Sequence, residues 1–260
     1  MLLRPRQKHF VERSVRALGE HGNTLGVAPT GAGKTIMLSG VAGRMVGEIP
    51  KSTGAKACVL AHRDELTAQN RSKFGRVNPK ITTSVVDAKE KCWAGQVTFA
   101  MVPTLARAGN LGQLPALDLL VIDEAHHAAA DSYRRIIDAA LQRNPMCRIY
   151  GVTATPNRGD KRGLRPVFSN VADQIRIGEL IASGHLVPPR TFVIDVGVQD
   201  QLTKVRRTAD DFDMAEVDAI MNRSPVTDAV IRHWREKAGE RQTVVFCSTV
   251  DHARNVTAAF

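Results

Sequence analysis

The segment Ala28-Pro-Thr-Gly-Ala-Gly-Lys-Thr35 constrains the possible fold of this chain more than any other feature. A short apolar run, Thr24–Ala28, leads into it, and a stretch with helical character begins at Lys34. Glycines let a backbone curl until successive N–H groups face one anion, and the positive end of the following helix strengthens the attraction. A strand, a glycine-rich turn and a helix in this order predict a phosphate-binding loop.

The side chains of this loop fit a nucleotide with a metal ion. Lys34 is expected to reach the β- and γ-phosphates of ATP, and Thr35 to hold Mg²⁺ through its hydroxyl. The rest of the expected loop site is Pro29, Thr30, Gly31, Ala32 and Gly33. The strict pattern has glycine at the first position, where this chain has Ala28. A glycine-rich turn with a chance lysine is the alternative, and the flanking strand and helix argue against it.

Two carboxylates follow another apolar run, Asp118–Ile122. Asp123 would emerge at the carboxyl end of this strand, where open α/β sheets bind ligands, and would hold the water shell of Mg²⁺. Glu124 would orient and deprotonate an attacking water. We expect this strand to lie next to the strand that carries the glycine-rich loop.

Short apolar runs alternate with amphipathic stretches along the first 150 residues. The predicted strands are Thr24–Ala28, Ala57–Ala61, Thr83–Val86, Val97–Met101, Asp118–Ile122 and Arg148–Val152. The predicted helices are Pro5–Leu18, Lys34–Val46, Asp64–Lys73, Thr104–Ala108 and Ser132–Gln142. This alternation predicts an α/β fold, in which a parallel sheet is covered by helices on both faces.

The pattern becomes less regular after Pro156. Asn157–Pro166 is expected to be a loop, and Asp210–Asp218 a surface helix or linker. Predicted strands are Thr191–Val196 and Thr243–Cys247, and predicted helices are Pro225–Lys237 and Asp251–Phe260. A domain boundary is therefore expected between about Leu186 and Arg241.

The net charge of +10 is concentrated near the start of the chain. Residues 1–100 carry 16 Lys and Arg against 7 Asp and Glu, a net of +9. Such a segment suits a polyanion partner, and a solvated basic face is the alternative. Four unclustered cysteines, no long apolar stretch and no apolar leader predict a cytoplasmic protein with reduced thiols and no membrane partner.

Asp123-Glu-Ala-His126 resembles the signature of the DEAD/DEAH-box helicases and translocases of superfamily two. Four further segments resemble motifs of that superfamily, in the same order along the chain. They are Arg4-Pro-Arg-Gln7, Val59–Leu66, Val152-Thr-Ala-Thr-Pro156 and Val244-Val-Phe-Cys-Ser248. The amino-acid sequences of Leu180–Pro188 and Thr155–Arg158 resemble those of one branch of the superfamily. This branch contains restriction-enzyme motor subunits and excision-repair translocases, which act on duplex DNA.

The resemblance implies roles for residues outside the loop and the acidic pair. The adenine base would be read by Arg4 and Gln7, and His126 would relay the state of the nucleotide to Thr153 and Thr155. Contacts with the nucleic-acid backbone would come from His62, Arg63 and Thr104. Both His62 and Arg63 also have the alternative of being plain surface charges. The segment before Thr104 departs from the superfamily, since Met101 and Pro103 stand where a threonine and a glutamine are usual.

The implied protein is a Mg²⁺- and nucleic-acid-dependent ATPase that acts on DNA rather than RNA. Residues 1–186 would form a first RecA-like domain, 187–240 a linker with a connecting helix, and 241–260 the start of a second RecA-like domain. The arginine that stabilises phosphoryl transfer would lie in that second domain. We therefore expect a chain that binds Mg-ATP and hydrolyses it poorly, with a protein or further segment supplying the second domain.

Two alternatives compete with this interpretation. The first is a nucleotide-binding fragment, or one part of a split motor, with little turnover of its own. The second is a P-loop kinase or packaging ATPase, which has no use for the Thr-Ala-Thr segment at Thr153–Thr155.

Overall fold

The structure is a computed structural model that describes residues 3–48, 56–156, 163–207 and 212–260. The chain divides into two compact units, Met1–Pro188 and Pro189–Phe260. Of the basic residues in the predicted loop after Pro156, Arg158, Lys161 and Arg162 lie outside the described residues, as do Asp210 and Asp211 of the predicted acidic segment.

A seven-stranded parallel sheet forms the centre of the first unit. Its strands are β1 (Asn23–Val27), β2 (Ala57–Ala61), β3 (Thr83–Val86), β4 (Val97–Met101), β5 (Leu119–Asp123), β6 (Arg148–Thr153) and β7 (Val171–Gln174). They lie in the order β3-β4-β2-β5-β6-β1-β7. Strands β2 and β5 are buried along their whole length, as expected for parallel strands that are covered on both faces.

Helices connect the strands and cover the sheet. In the first unit they are α1 (Pro5–His21), α2 (Lys34–Glu48), α3 (Asp64–Val77), α4 (Val102–Leu105), α5 (Ala108–Leu111), α6 (Asp131–Arg143) and α7 (Ile177–Ala182). A 3₁₀ turn spans Ala125–His127. Pro5 occupies the first turn of α1, where its missing N–H costs no intrahelical bond, and Gly22 ends that helix with a φ of 72°.

Alternate residues of the strands face two separate core clusters. Along β5, Leu120 and Ile122 enter one cluster, whereas Leu119 and Val121 enter the other. The first cluster includes Tyr133 and Ile136 of α6, and the second includes Phe10 of α1, Met37 of α2 and Phe74 of α3. Helices therefore cover both faces of the sheet, and the predicted α/β fold is confirmed.

The predicted neighbour of the acidic strand is wrong. Strand β6 lies between β1 and β5, and pairs Val27 with Thr153 on one side and Asp123 with Val152 on the other. Strand order is set by long-range packing, which an apolar pattern in the sequence does not encode. The insertion places Thr153 between the loop strand and the acidic strand.

Two predicted strands of the second unit are also wrong, since Thr191–Val196 and Thr243–Cys247 have no regular secondary structure. Both runs have strand-forming residues, but a strand needs a hydrogen-bonded neighbour, and none occurs among the described residues of this unit. Val193 and Phe246 are consequently 98% and 94% exposed.

In the first unit, the predicted helix Thr104–Ala108 is replaced by the two short helices α4 and α5.

The second unit consists of short helices: α8 (Gln199–Leu202), α9 (Met214–Met221), α10 (Ser224–Lys237) and α11 (Val250–Ala259). Asp218 of α9 accepts hydrogen bonds from the hydroxyls of Ser248 and Thr249, which join α9 to the start of α11. Trp234 packs edge-on against Phe260, with 4.9 Å between the ring centroids. Within the described part of the chain, no helix has both the length and the apolar character that crossing a membrane requires.

Candidate nucleotide-binding site

The glycine-rich loop lies between the end of β1 and the start of α2. The backbone N–H of Ala28 donates to the carbonyl of Thr153 at 2.9 Å, which anchors the loop to β6. Gly31 and Gly33 have φ values of +88° and +86°, a left-handed conformation that side chains rarely adopt. A Cβ atom on Gly33 would lie 2.5 Å from the Gln7 side-chain nitrogen. The loop therefore requires glycine at these two positions.

Gln7 fastens the loop to the start of α1. Its Nε2 donates to the carbonyl of Ala32 at 2.9 Å, and its Oε1 accepts from the backbone N–H of Arg4 at 3.0 Å. A cavity of about 370 Å³ opens beside these residues. It is lined by Arg4, Pro5, Arg6, Gln7 and Ala32 on one side, and by Ile175, Glu179, Leu180, Ser183 and His185 on the other. The structure thus brings the predicted adenine-reading residues to a cavity next to the loop.

The acidic pair lies at the carboxyl end of β5. Asp123 is 6% exposed, and both of its oxygens are engaged. Oδ1 accepts from the backbone N–H of Glu124 at 3.0 Å, and Oδ2 accepts from the side chain of Asn70 at 2.8 Å. Glu124 itself has a φ of 49°, and no other non-glycine residue in the described ranges has a positive φ.

Lys34 and Glu124 meet across the intervening strand. The Lys34 Nζ lies 3.7 Å from the Glu124 Oε1, although the two residues follow different strands and β6 separates these strands. The Lys34 side chain is 13% exposed and the Glu124 side chain 35%, so water reaches this ion pair mainly from the carboxylate side. The glycine-rich loop and the acidic pair therefore form one site at the carboxyl edge of the sheet.

A chain of polar contacts runs from the acidic pair to the Thr-Ala-Thr segment. His126 Nδ1 lies 3.4 Å from Glu124 Oε2 and 3.1 Å from the hydroxyl of Thr153. That hydroxyl also accepts from the backbone N–H of Thr155 at 3.1 Å. Thr153 thus contacts both of the other residues predicted to relay the state of the nucleotide, His126 and Thr155.

His62 and Arg63 are exposed at the start of α3. Together with Asp123, Glu124 and His127 they line a second cavity of about 340 Å³. The predicted nucleic-acid contacts on α3 are therefore adjacent to the acidic pair.

His127 and Thr104 are both removed from solvent, to different degrees. His127 is half-buried, and its ring stacks on His62 at 5.5 Å and on Tyr133 at 6.1 Å. Thr104 is 4% exposed, so its side chain offers almost no surface to a polymer and is not part of the interface we propose.

The sequence pattern missed Asn70 and Tyr133. Both are 1% exposed; Asn70 contacts Asp123 directly, and the hydroxyl of Tyr133 is buried without a hydrogen-bond partner in the described residues. Burial raises the pKa of Tyr133 above its ordinary range, and the negative charges of Asp123 and Glu124 raise it further. Neither residue belongs to a short motif, and the contact between Asn70 and Asp123 spans 53 positions in sequence, which no local pattern covers.

A parallel sheet with a glycine-rich loop after β1 and two carboxylates after β5 defines a RecA-like P-loop domain. The comparisons with known proteins agree with this class. The chain belongs to the family described as "Type III restriction enzyme, res subunit", which matches residues 1–158. Its predicted place among the superfamily-two helicases and translocases is thereby confirmed.

The relatives and structural neighbours include helicases and restriction enzymes. IRC3 of Saccharomyces cerevisiae, a candidate ATP-dependent helicase by its name, is 27% identical over 100% of this chain and 39% of its own length. The ATP-dependent DNA helicase mph1 of Neurospora crassa is 29% identical over 72% of this chain and 17% of its own length. The Type ISP restriction-modification enzyme LlaGI, solved with a DNA substrate mimic, aligns with a TM-score of 0.57 at 12% identity, over 97% of this chain and 26% of that one.

The solved structure shows the fold alone, because its identity to this chain is low. The curated relatives extend further, since this chain spans only 39% of the length of IRC3 and 17% of mph1. Together the family and the relatives establish a helicase-family ATPase domain, of a class that uses ATP.

Proposed function

We propose that this chain is the ATP-binding domain of a nucleic-acid-dependent ATPase that acts on DNA. The observation that carries the proposal is the 3.7 Å approach of Lys34 to Glu124 beside Asp123. A lysine after a glycine-rich loop and a carboxylate pair at the same sheet edge are the two groups that a nucleoside triphosphate and its metal ion need. Binding and catalytic roles follow for each residue.

The phosphates would lie against the loop, and the base in the neighbouring cavity. After Pro29, which has no N–H of its own, the backbone N–H groups of Thr30, Gly31, Ala32, Gly33, Lys34 and Thr35 would donate to the phosphate oxygens at the positive end of α2. Lys34 would leave Glu124 for the phosphates. Arg4 and Gln7 would meet the adenine in the cavity of about 370 Å³ beside the loop.

Thr35 and Asp123 would hold Mg²⁺. A hydroxyl and a carboxylate are the hard oxygen ligands that this ion prefers. Both oxygens of Asp123 already accept hydrogen bonds that fix their position, so Asp123 would contact Mg²⁺ through the water molecules that surround the ion. Bound there, Mg²⁺ would neutralise charge on the β- and γ-phosphates.

Glu124 is the proposed general base. Its carboxylate lies 3.7 Å from the Lys34 Nζ on one side and 3.4 Å from the His126 Nδ1 on the other. Transfer of Lys34 to the phosphates would leave the carboxylate free to orient and deprotonate the attacking water. The contacts of His126 with Thr153, and of Thr153 with Thr155, would carry that change to the next segment of the chain.

DNA would lie against the start of α3. His62 and Arg63 are exposed there, residues 1–100 carry a net charge of +9, and mph1 is named as a DNA helicase.

We further propose a first RecA-like domain over 1–186, a linker over 187–240 and the start of a second such domain over 241–260. A protein or further chain segment would complete that second domain. The cytoplasmic location stays a prediction.

The test measures ATP hydrolysis by the chain with duplex DNA, single-stranded DNA, RNA or no polymer, with Glu124→Gln as the control. We expect the chain alone to bind ATP and to hydrolyse it slowly, because the arginine that stabilises phosphoryl transfer would lie in the second RecA-like domain. DNA should stimulate this slow hydrolysis, Glu124→Gln should abolish it, and brisk hydrolysis by the chain alone would contradict the expectation. ATP binding without any stimulated turnover would favour the alternative of a nucleotide-binding module. Failure to bind ATP would reject the site assignment.

A further inference from the structure

We propose that Asn70 is a positioning residue for Asp123, and that it sets the affinity of the nucleotide site for Mg²⁺. The inference rests on the proposed function, since it assigns a purpose to a contact of the proposed metal-binding carboxylate. Asn70 lies on α3, 53 residues from Asp123 in sequence, and outside the segments that resemble superfamily motifs.

The contact fixes one orientation of the carboxylate. Asn70 Nδ2 donates to Asp123 Oδ2 at 2.8 Å, while Oδ1 accepts from the backbone N–H of Glu124 at 3.0 Å. Asn70 is 1% exposed and Asp123 6% exposed, so water competes little with either bond. A carboxylate that is held at both oxygens cannot rotate about its last bond without losing a charge-assisted hydrogen bond.

The oxygen of the Asn70 amide, which does not bond to Asp123, is evidence for a ligand nearby. Asp123 can only accept, so the nitrogen of the amide must face it and Oδ1 must face away. That oxygen is buried without a hydrogen-bond partner among the described residues, an arrangement that folded proteins seldom tolerate. It is bonded to the same carbon as Nδ2 and therefore lies next to Asp123. Mg²⁺ keeps several waters when it binds protein, and a water of its shell can donate to this free acceptor.

A purely structural role for Asn70 makes a different prediction. A latch between α3 and β5 would change the stability of the fold when it is removed, but would leave the Mg²⁺ dependence of nucleotide binding unaltered. Residues that orient a metal ligand change metal affinity instead, by roughly 10- to 100-fold. The two roles are separable because ATP would also bind through Lys34 and the loop, whatever the state of the metal site.

The experiment titrates MgCl₂ into the 260-residue chain with a fluorescent ATP analogue and records the Mg²⁺ concentration at half-maximal binding. Asn70→Leu keeps the volume of the side chain and removes both hydrogen-bonding groups. We expect it to raise that concentration about 10-fold, while the affinity measured in EDTA stays unchanged. Gln69→Ala, an exposed neighbour on the same helix, is the matched control and should match the wild-type curve.

A double-mutant cycle with Asp123→Ala isolates the pair. The part of the Asn70→Leu effect that passes through Asp123 disappears from the Mg²⁺ midpoint once Asp123 is alanine, and any smaller shift that remains comes from the contact of Asn70 Oδ1 with the water shell. Thermal melts check folding, and Asn70→Ser replaces Asn70→Leu if the latter unfolds. An unchanged midpoint in the folded variant, with a clear shift in Asp123→Ala, overturns the inference alone. Binding that ignores both Mg²⁺ and Asp123→Ala overturns the proposed metal site and the inference together.

Discussion

Three residues of the site, Gly31, Gly33 and Glu124, hold left-handed backbone conformations, and the surroundings of Gly33 and Glu124 show a reason for theirs. Gly33 curls the loop towards Gln7, with a φ of +86°. Glu124, with a φ of 49°, turns back from the end of β5 towards Lys34. A non-glycine residue in this region costs about 1–2 kcal/mol, so the fold sustains strain to aim this carboxylate.

Gly33→Ala tests the need for that curl. The new Cβ would lie 2.5 Å from the Gln7 nitrogen, at a φ that alanine rarely adopts. We expect ATP affinity to fall at least about 10-fold and stability to fall by about 1–3 kcal/mol. Titration with a fluorescent ATP analogue and thermal melts measure the two effects. Gly19→Ala, in an open position on α1, should keep wild-type binding, and equal binding by both variants would contradict the expected loop geometry.

Lys34→Ala tests the side-chain cation of the loop. Removal of a charged donor to phosphate should weaken ATP binding by about 1.5–3 kcal/mol, which is roughly 10- to 150-fold. Adenosine has no phosphates, so its affinity should not change. Isothermal titration with both ligands separates these effects. An unaltered ATP affinity in Lys34→Ala would remove the loop from the proposed site.

Among the elements, those with a strong local pattern were predicted with correct bounds. Strands β2, β3 and β4 start and end at the predicted residues, because each is a short run that contains no charged residue. Strand β7 was missed because Asp173 and Gln174 make up half of it, and aspartate is disfavoured in strands. The predicted strand Thr243–Cys247 failed for the opposite reason, since its pattern is strong but no neighbour pairs with it among the described residues.

For the site as well, residues in a local sequence pattern were predicted and residues brought together by long-range packing were not. Residues within short motifs, such as Lys34 and Glu124, were predicted and do come together. Asn70 and Tyr133 were not, because their proximity to the acidic pair arises only when α3 and α6 pack on the folded sheet. Sequence order shows which residue types are present, whereas sheet order decides which of them meet.

An ion pair joins the first helix to the edge strand. Arg6 of α1 contacts both carboxylate oxygens of Asp173 on β7, and donates to the Gln174 carbonyl at 3.0 Å. Burial raises the pKa of Asp173, but the hydrogen bond and charge of Arg6, the Gln174 backbone N–H and the charge of Arg13 outweigh it. The pKa therefore lies below its ordinary 3.8.

Asp173→Asn should destabilise the first unit by about 1 kcal/mol at pH 7, after allowance for the exposed part of Arg6. A lowered pKa in the folded state means that the stabilisation is complete above the ordinary pKa and is lost as the pH falls through the lower one. The difference between wild type and Asp173→Asn should therefore shrink towards zero below pH 3.8.

Urea unfolding between pH 7 and pH 3 measures this difference. Trp93 packs against the core of the first unit, so its fluorescence reports on that unit in a Trp234→Phe background. Asp138→Asn, an exposed position on α6, is the control and should cost little at any pH. A cost of Asp173→Asn that does not vary with pH would mean that the carboxylate charge contributes nothing.

In the molecule as a whole, the buried core and the net positive charge are both concentrated in the first unit. Both core clusters lie in it, and so do all the proposed nucleotide contacts. Residues 1–100, with their net charge of +9, belong to the same unit. A polyanion attracted by this charge would be guided to the surface where His62 and Arg63 lie near the acidic pair.

This arrangement predicts DNA binding that weakens with salt. Each phosphate neutralised releases counterions, so the logarithm of affinity should fall with the logarithm of salt concentration by about 0.9 per contact on duplex DNA. Arg63→Ala should reduce that slope by about 1 and lower affinity alike on unrelated sequences, because a phosphate contact carries no sequence information. Fluorescence anisotropy with two duplexes between 50 and 200 mM salt, the range over which about 6–10 contacts cost 10³–10⁵ in affinity, measures both quantities.

Arg235→Ala is the matched control, since Arg235 is an exposed arginine on α10 of the second unit. If the first unit carries the interface, this variant should keep the wild-type slope while Arg63→Ala does not. A slope near zero would mean that the basic segment is a solvated face. If Arg63→Ala and Arg235→Ala reduced the salt slope equally, DNA would be responding to the total charge of the chain, and the start of α3 would not be a specific contact.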